Sequence, residues 1–278
     1  MLKKLIVLAF LLVLISGATG TWLIFRAYQN HRAERIARLQ QQAAERSITI
    51  IEGWSLDEMG TYFEKEGLFS KADFNKALDN YDASKFPFTK RPDKVDLEGY
   101  LFPDTYRISK TATPEDVITK MLANFSQRLE SIGVSDPNAQ YNGLTLAQVI
   151  TLASIIEKES GGQGTTTGNL SLQDERDLVA SVFYNRMKIG QALESDATIN
   201  YITGKDTPAA SAADLEVNSP YNTYKYAGLP PGPICSPSLG SLKAALHPAE
   251  SDYYYFLHKQ PSGEVEFSRT FEEHKSKK

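Results

Sequence analysis

Ile150-Thr151-Leu152-Ala153-Ser154-Ile155-Ile156-Glu157-Lys158-Glu159-Ser160 is an apolar run that closes on two carboxylates. Leu146, Val149, Ile150, Leu152, Ala153 and Ile156 recur at helical spacing. Thr145-Leu146-Ala147-Gln148 has the form of a capping box that opens the helix. Glu157 and Glu159 stand two positions apart and cannot face the same way on a helix. They fall on opposite edges of the apolar stripe, with Lys158 pointing away. Apolar surroundings penalise an ionised carboxylate and raise its pKa, and a carboxyl kept protonated near neutral pH can act as a general acid. The stretch therefore reads as a candidate acid-catalyst site. The structural alternative is that either glutamate pairs with a basic residue such as Arg176 or Arg186.

Composition places the chain among folded proteins with ample core: 278 residues, 41% hydrophobic, 10% aromatic and 23% charged. A net charge of −4 and the lack of a basic stripe give no case for nucleic acid. One cysteine, Cys235, excludes an intrachain disulfide and a cysteine-rich metal site. His31, His247, His258 and His274 show no metal-ligand spacing, so neither metal nor cofactor is expected.

Leu5 to Phe25 is apolar and uncharged after Lys3 and Lys4, about the length that spans a bilayer. A cleaved signal peptide ending at Ala18-Thr19-Gly20 is the competing reading. The uncleaved anchor is preferred because Trp22-Leu23-Ile24-Phe25 continues the apolar run with an interfacial aromatic. Residues 1–25 are then a cytoplasmic N-terminus and transmembrane anchor. Residues 26–46, rich in Arg, Gln and Ala, form a helical stalk or a linker.

The fold class expected beyond the anchor is α+β, with a small unit over 47–110 and a catalytic domain over 111–278. Ser47–Ile51 alternates as a strand. Ser55-Leu56-Asp57-Glu58 is a capping box, and Leu56, Met59, Tyr62 and Phe63 follow at helical spacing. Ser70–Asp79 is a second helix, and Gly99–Ile108 is extended. This strand–helix–helix–strand order resembles a LysM-like module, a fold that binds N-acetylated glycans, on Gly53, Ser55, Leu56 and Met59; an ordinary α+β packing unit is the alternative. Thr113-Pro114 starts another helix, and Leu178 to Met187 marks one that ends near Gly190. Tyr221–Ser238 is a Pro/Gly/Tyr-rich loop, and Ser241–Leu246 is a short helix. Tyr253–Leu257 and Val265–Phe267 form a terminal hairpin, and the basic tail after Glu273 is expected to fray.

Further candidates surround the two glutamates. Glu98 could orient a sugar or the acid, or cap a strand end. Asp196, after Ser195, could act as a second carboxylate or stand at a helix start. Asn222 could bind an acetamido group or make a turn. Tyr100, Tyr221 and Tyr224 could stack on sugar faces or pack the core.

Leu97-Glu98-Gly99-Tyr100-Leu101-Phe102-Pro103-Asp104-Thr105-Tyr106, Val182-Phe183-Tyr184-Asn185-Arg186-Met187, Leu193-Glu194-Ser195-Asp196, Ser219-Pro220-Tyr221-Asn222-Thr223-Tyr224 and Gly228-Leu229-Pro230-Pro231-Gly232-Pro233-Ile234 stand in this order around Glu157-Lys158-Glu159. Together they resemble the endolytic murein transglycosylases, the YceG-like family, from about Ser47 to His274. The resemblance implies an N-terminal anchor in the cell membrane with the catalytic domain outside the cytoplasm. It implies peptidoglycan glycan strands as substrate, cut between N-acetylmuramic acid and N-acetylglucosamine, beside membrane synthases as partners. It implies that the second glutamate of the Glu-Lys-Glu run, Glu159, is catalytic, with Glu157 supporting. A lytic enzyme can work with one carboxyl, because the sugar's own C6 hydroxyl captures the cation and closes a 1,6-anhydro ring. An ordinary glycosidase needs two. The chain departs from the family in extra length at Gly161–Leu170 and in a short segment before Leu97. The alternatives are a hydrolase pairing Glu159 with Asp196 or Glu98, and a non-catalytic glycan-binding protein working through Gly53-Trp54-Ser55-Leu56.

Overall fold

The computed structural model describes residues 22, 25–36, 44–89, 97–160, 170–205, 210–259 and 262–277. The proposed span Leu5–Phe25 lies, apart from Trp22 and Phe25, outside the described residues, as does the 161–169 part of the extra loop. Among the described residues no helix is long and apolar enough to cross a membrane. The chain divides into two compact units.

The first unit takes residues up to Ile48 together with Arg107–Lys110. Residues 25–36 are helical in it. Arg107 pairs with Glu45 at 3.4 Å, and the Lys110 amide donates to the Ala44 carbonyl.

The second unit, Thr49–Tyr106 with Thr111–Lys278, carries the candidate site. The expected strand–helix–helix–strand order is present along the chain: β1 (Glu45–Thr49), α1 (Leu56–Lys65), α2 (Lys71–Asn80) and β2 (Thr105–Ser109); β1 and β2, most of whose residues belong to the first unit, pair in a two-stranded sheet, and α1 and α2 belong to the second. The extended run from Gly99 shortens to β2, because Glu98 to Tyr100 turn with Gly99 at φ +80°. A Cβ at Gly99 would stand 2.3 Å from that of Pro233, so this turn needs glycine for space as well as for φ. Phe63 packs against Phe69 and Phe74 between α1 and α2. Phe88, Tyr100 and Phe102 gather round Phe125 of α3 (Pro114–Ser131).

A two-residue hairpin follows, β3 (Gln140–Tyr141) and β4 (Leu144–Thr145), turned by Asn142 and Gly143 at φ +50° and +80°. Both central residues at positive φ suit the twist of a tight hairpin. It feeds α4 (Leu146–Glu159), which is buried along Leu146, Val149–Ile156 and packs against α5 (Leu172–Lys188) and α8 (Leu239–Leu246). Between α5 and α8 lie α6 (Asp196–Thr203), α7 (Ala212–Leu215) and the loop that ends at Ser238. The loop is stitched to α4 and to the turn before α1: the Ile234 amide donates to the Ser154 hydroxyl, while Gly53 and Trp54 exchange backbone hydrogen bonds with Ser236. β5 (Tyr255–His258) and β6 (Val265–Ser268) form the terminal antiparallel hairpin.

The tail corrects one expectation. Phe271–Lys277 is helix α9, not a frayed end. Its His274 is buried and stacks on Tyr255 at 5.4 Å, and Lys277 Nζ donates to the Phe267 carbonyl at 2.7 Å. These contacts tie a charged sequence to the hairpin.

Candidate active site

Glu157 and Glu159 leave the end of α4 in different directions, as the two-residue spacing requires, and Lys158 between them is exposed. Glu157 turns to the head of α8. Its Oε2 accepts from the Ser238 amide at 2.9 Å and the Ser241 hydroxyl at 2.6 Å, and its Oε1 lies 3.5 Å from Arg176 of α5. Both charged side chains are nearly buried, 7% and 11% exposed. Glu157 thereby joins α4, α5 and α8. Glu52 lies close enough that the Glu157 charge adds to burial in raising its pKa, against Arg176.

Glu159 turns to the head of α6. Its Oε1 accepts from the Ser195 hydroxyl at 2.5 Å, and the Ala197 amide in the first turn of α6 also reaches the carboxyl. Burial raises its pKa above the usual carboxylate range, and neighbouring Asp196 adds to this. The Ser195 hydroxyl, the charge of His258 on β5 and the Ala197 amide oppose it without reversing it. Burial thus holds the Glu159 carboxyl towards the protonated form.

The turn carrying Ser195 is held from several sides. Glu194 adopts φ +53°, a left-handed conformation unusual for a residue with a Cβ. Its amide donates to the Thr223 carbonyl, and the Ser195 amide donates to the Thr223 hydroxyl at 3.1 Å. Arg186 of α5 donates to the carbonyls of Ala192, Leu193 and Tyr254 and pairs with Glu194 at 3.1 Å. Its guanidinium lies over the Tyr255 ring. Five donors in a rigid fork suit such a multi-carbonyl grip.

The other candidates separate. Asp196 opens α6 and accepts from the Tyr224 hydroxyl at 2.8 Å. Burial and the carboxylates of Asp196, Glu159 and Glu194 raise the Tyr224 pKa, so its hydroxyl remains a donor. The structure thus gathers Glu159, Asp196 and Tyr224. Asn222 is 0% exposed, and its amide is spent on backbone: it donates to Leu215 and Val217 carbonyls and accepts from the Tyr224 and Lys225 amides. That bonding shapes the loop presenting Thr223 and Tyr224. Tyr221 is half-buried, 5.1 Å from the ring of Tyr201 on α6. Tyr100 is 0% exposed within the Phe88–Phe125 cluster. Glu98 is buried and accepts from the Leu56 amide at 3.2 Å, at the head of α1. Ser195, Thr223 and Arg186 stand inside the sequence blocks but are not legible as supports of Glu159, and His258 comes from a strand 99 positions away in sequence with no local signal.

A model of the YceG-like family matches residues 18–278. The chain is 37% identical over 243 residues to a Bacillus subtilis protein named endolytic murein transglycosylase, covering 83% of this chain and 64% of that one. A Streptococcus pneumoniae protein of the same name is 33% identical over 250 residues, covering 82% of this chain and 43% of that one. This chain therefore spans less than two thirds of these relatives. A crystal structure of a YceG-like protein from Listeria monocytogenes superposes with a TM-score of 0.68 at 33% identity, over 88% of this chain and 81% of that one.

Proposed function

The chain belongs to the YceG-like family, and on that premise we propose that it is a membrane-anchored lytic transglycosylase of peptidoglycan, with Glu159 as its acid and base. The observation that carries this reading is the half-buried Glu159 carboxyl at the end of an apolar helix, held by Ser195 beside Asp196 and pushed towards its protonated form. Protonated Glu159 gives its proton to the glycosidic oxygen between N-acetylmuramic acid and N-acetylglucosamine. As that C–O bond breaks, the C6 hydroxyl of the muramyl residue bonds to C1 and returns its proton to the same carboxylate. The products are a new N-acetylglucosamine terminus and a 1,6-anhydro end, and no water is consumed. The Asp196 charge favours both the protonated acid and the cationic sugar. The half-buried Tyr221 and Tyr224 offer surface for the sugars. Over Glu45–Ser109, the strand–helix–helix–strand order supports a LysM-like contribution to glycan binding, with the Trp54 ring tilted against that of Tyr62 at 5.1 Å.

Exposed Trp22 and Phe25 close the Leu5–Phe25 run and exposed Tyr28 follows it, as interfacial aromatics stand at the end of a span. The domain would then act on nascent strands outside the cytoplasm, beside the synthases that extend them. Asp196, near Glu159, supports a second reading, a hydrolase with two carboxyls. Mass spectrometry of uncrosslinked glycan strands treated with the full chain separates them. Internal cuts with 1,6-anhydro ends support the lytic reading, reducing ends support the hydrolase, and intact strands contradict both.

A further inference from the structure

Serine and threonine head the helices of this chain, and nearly all do what that position predicts. Ser55, Ser70, Thr113, Thr145, Ser171, Ser211 and Ser238 each accept a hydrogen bond from the backbone of the first turn. Ser195 is the exception among the N-caps of the described helices: its side chain makes no capping bond. The hydroxyl instead donates to Glu159 Oε1. Ser195 is 2% exposed, so the hydroxyl is not turned to water. Its backbone is fixed by Thr223, whose hydroxyl also meets that of Thr198 at 2.9 Å, and by the Arg186 grip on the preceding turn. A helix here forgoes its own cap so that a serine can serve a carboxyl on another helix.

We propose that Ser195 is the positioning residue of the Glu159 acid: its hydroxyl holds Oε1 as an acceptor and leaves Oε2 as the oxygen that carries the proton to the substrate and takes it back. The reaction step rests on the lytic reading above; the hydrogen-bond assignment does not. A protonated carboxyl has one carbonyl and one hydroxyl oxygen, and the carbonyl oxygen is the better acceptor, so a donor at Oε1 favours the proton on Oε2. Among the described residues Ser195 gives the carboxyl its one side-chain hydrogen bond, at Oε1, and the Ala197 amide also reaches the carboxyl. In the forward step the Oε2–H bond breaks as the proton reaches the leaving glycosidic oxygen. As C6–O bonds to C1, the C6 hydroxyl proton returns to Oε2. The same atom serves as acid and then base without rotation of the carboxyl, while Ser195 keeps its own proton throughout. The other titratable groups facing Glu159 are Asp196 at the head of α6, Tyr224 from the loop and His258 on β5.

The test compares the full chain with its Ser195→Ala, Ser195→Thr and Thr113→Ala variants. The Glu159 carboxyl is titrated by 13C NMR, and formation of 1,6-anhydro ends is followed against pH. Ser195→Ala should move the Glu159 titration to higher pH, because a donor to the charged form is lost. It should lower kcat by about 10- to 100-fold through misplacement of the acid and carry the basic limb of the profile upward. Ser195→Thr, which keeps the hydroxyl, should restore both, and Thr113→Ala, which removes an ordinary cap, should change neither. A Ser195→Ala protein that titrates and turns over like wild type, or that loses activity only in proportion to its folded fraction, overturns the proposal. A shifted titration in a wild-type chain that makes no anhydro ends would leave the hydrogen-bond role standing and reject the lytic reading instead.

Discussion

Replacing Glu159 by Gln should remove about 10²- to 10⁴-fold of activity, the usual contribution of a positioned general acid, as measured by anhydro-end formation. Wild-type activity needs the protonated carboxyl and should therefore fall as pH rises through its raised pKa. Stability responds in the same direction. A carboxyl whose folded pKa lies above its unfolded value contributes stability that is fully present below about the ordinary value, 4.5, and is lost as pH rises through the folded one. Glu159→Gln avoids that loss, so its Tm should exceed that of wild type at neutral pH, by a margin that shrinks on acidification. A margin that does not depend on pH would contradict the raised pKa. At this scale the sequence separates possibilities without choosing between them. The spacing of Glu157 and Glu159 dictates that they diverge, but which one meets Arg176 depends on how α5 and α8 pack. Asn222 and Tyr100 look like sugar ligands by residue type, yet the fold spends one on backbone carbonyls and amides and the other on a ring cluster.

The end of α4 works because three elements hold it. Glu157→Ala should leave Arg176 buried without its carboxylate partner and the head of α8 without an acceptor. A loss of about 3 kcal/mol or more is expected in urea unfolding. Lys158→Ala, one residue on and exposed, should stay within about 0.5 kcal/mol. Gly99→Ala combines a positive φ with a Cβ 2.3 Å from Pro233 and should cost about 2 kcal/mol or more by the same measurement. Elements announced by side-chain chemistry were readable in advance: the Ser55, Thr113-Pro114 and Thr145 starts each coincide with a capped helix. Those settled by tertiary contacts were not. The strand expected at Ser47–Ile51 lies at Glu45–Thr49, where its partner β2 sets the limits. α9 forms from a charged tail because His274 and Lys277 find sites on the terminal hairpin. The hairpin at Asn142-Gly143 carried a local turn signature, but two-residue strands give no alternation to go with it. Ser195 reads as a helix cap from its neighbours in sequence, and only the approach of α4 turns its hydroxyl elsewhere.

For the whole molecule, the proposal is catalysis tethered beside a membrane, with the apolar run Leu5–Phe25 as the anchor and the half-buried Glu159 134 positions beyond its end as the acid. The full chain should sediment with membranes, and deletion of residues 1–25 should release it to the soluble fraction; a full chain found soluble would contradict the anchor. The family was legible because several aromatic and acidic blocks recur in one order, whereas the reaction was legible only as what one buried carboxyl can do. The most direct test is mass spectrometry of the ends produced when the full chain and its Glu159→Gln and Glu157→Gln variants meet uncrosslinked glycan strands. The account predicts internal cuts bearing 1,6-anhydro ends, abolished by Glu159→Gln and retained by whatever Glu157→Gln protein folds. Reducing ends, or anhydro ends that persist in Glu159→Gln, would contradict it.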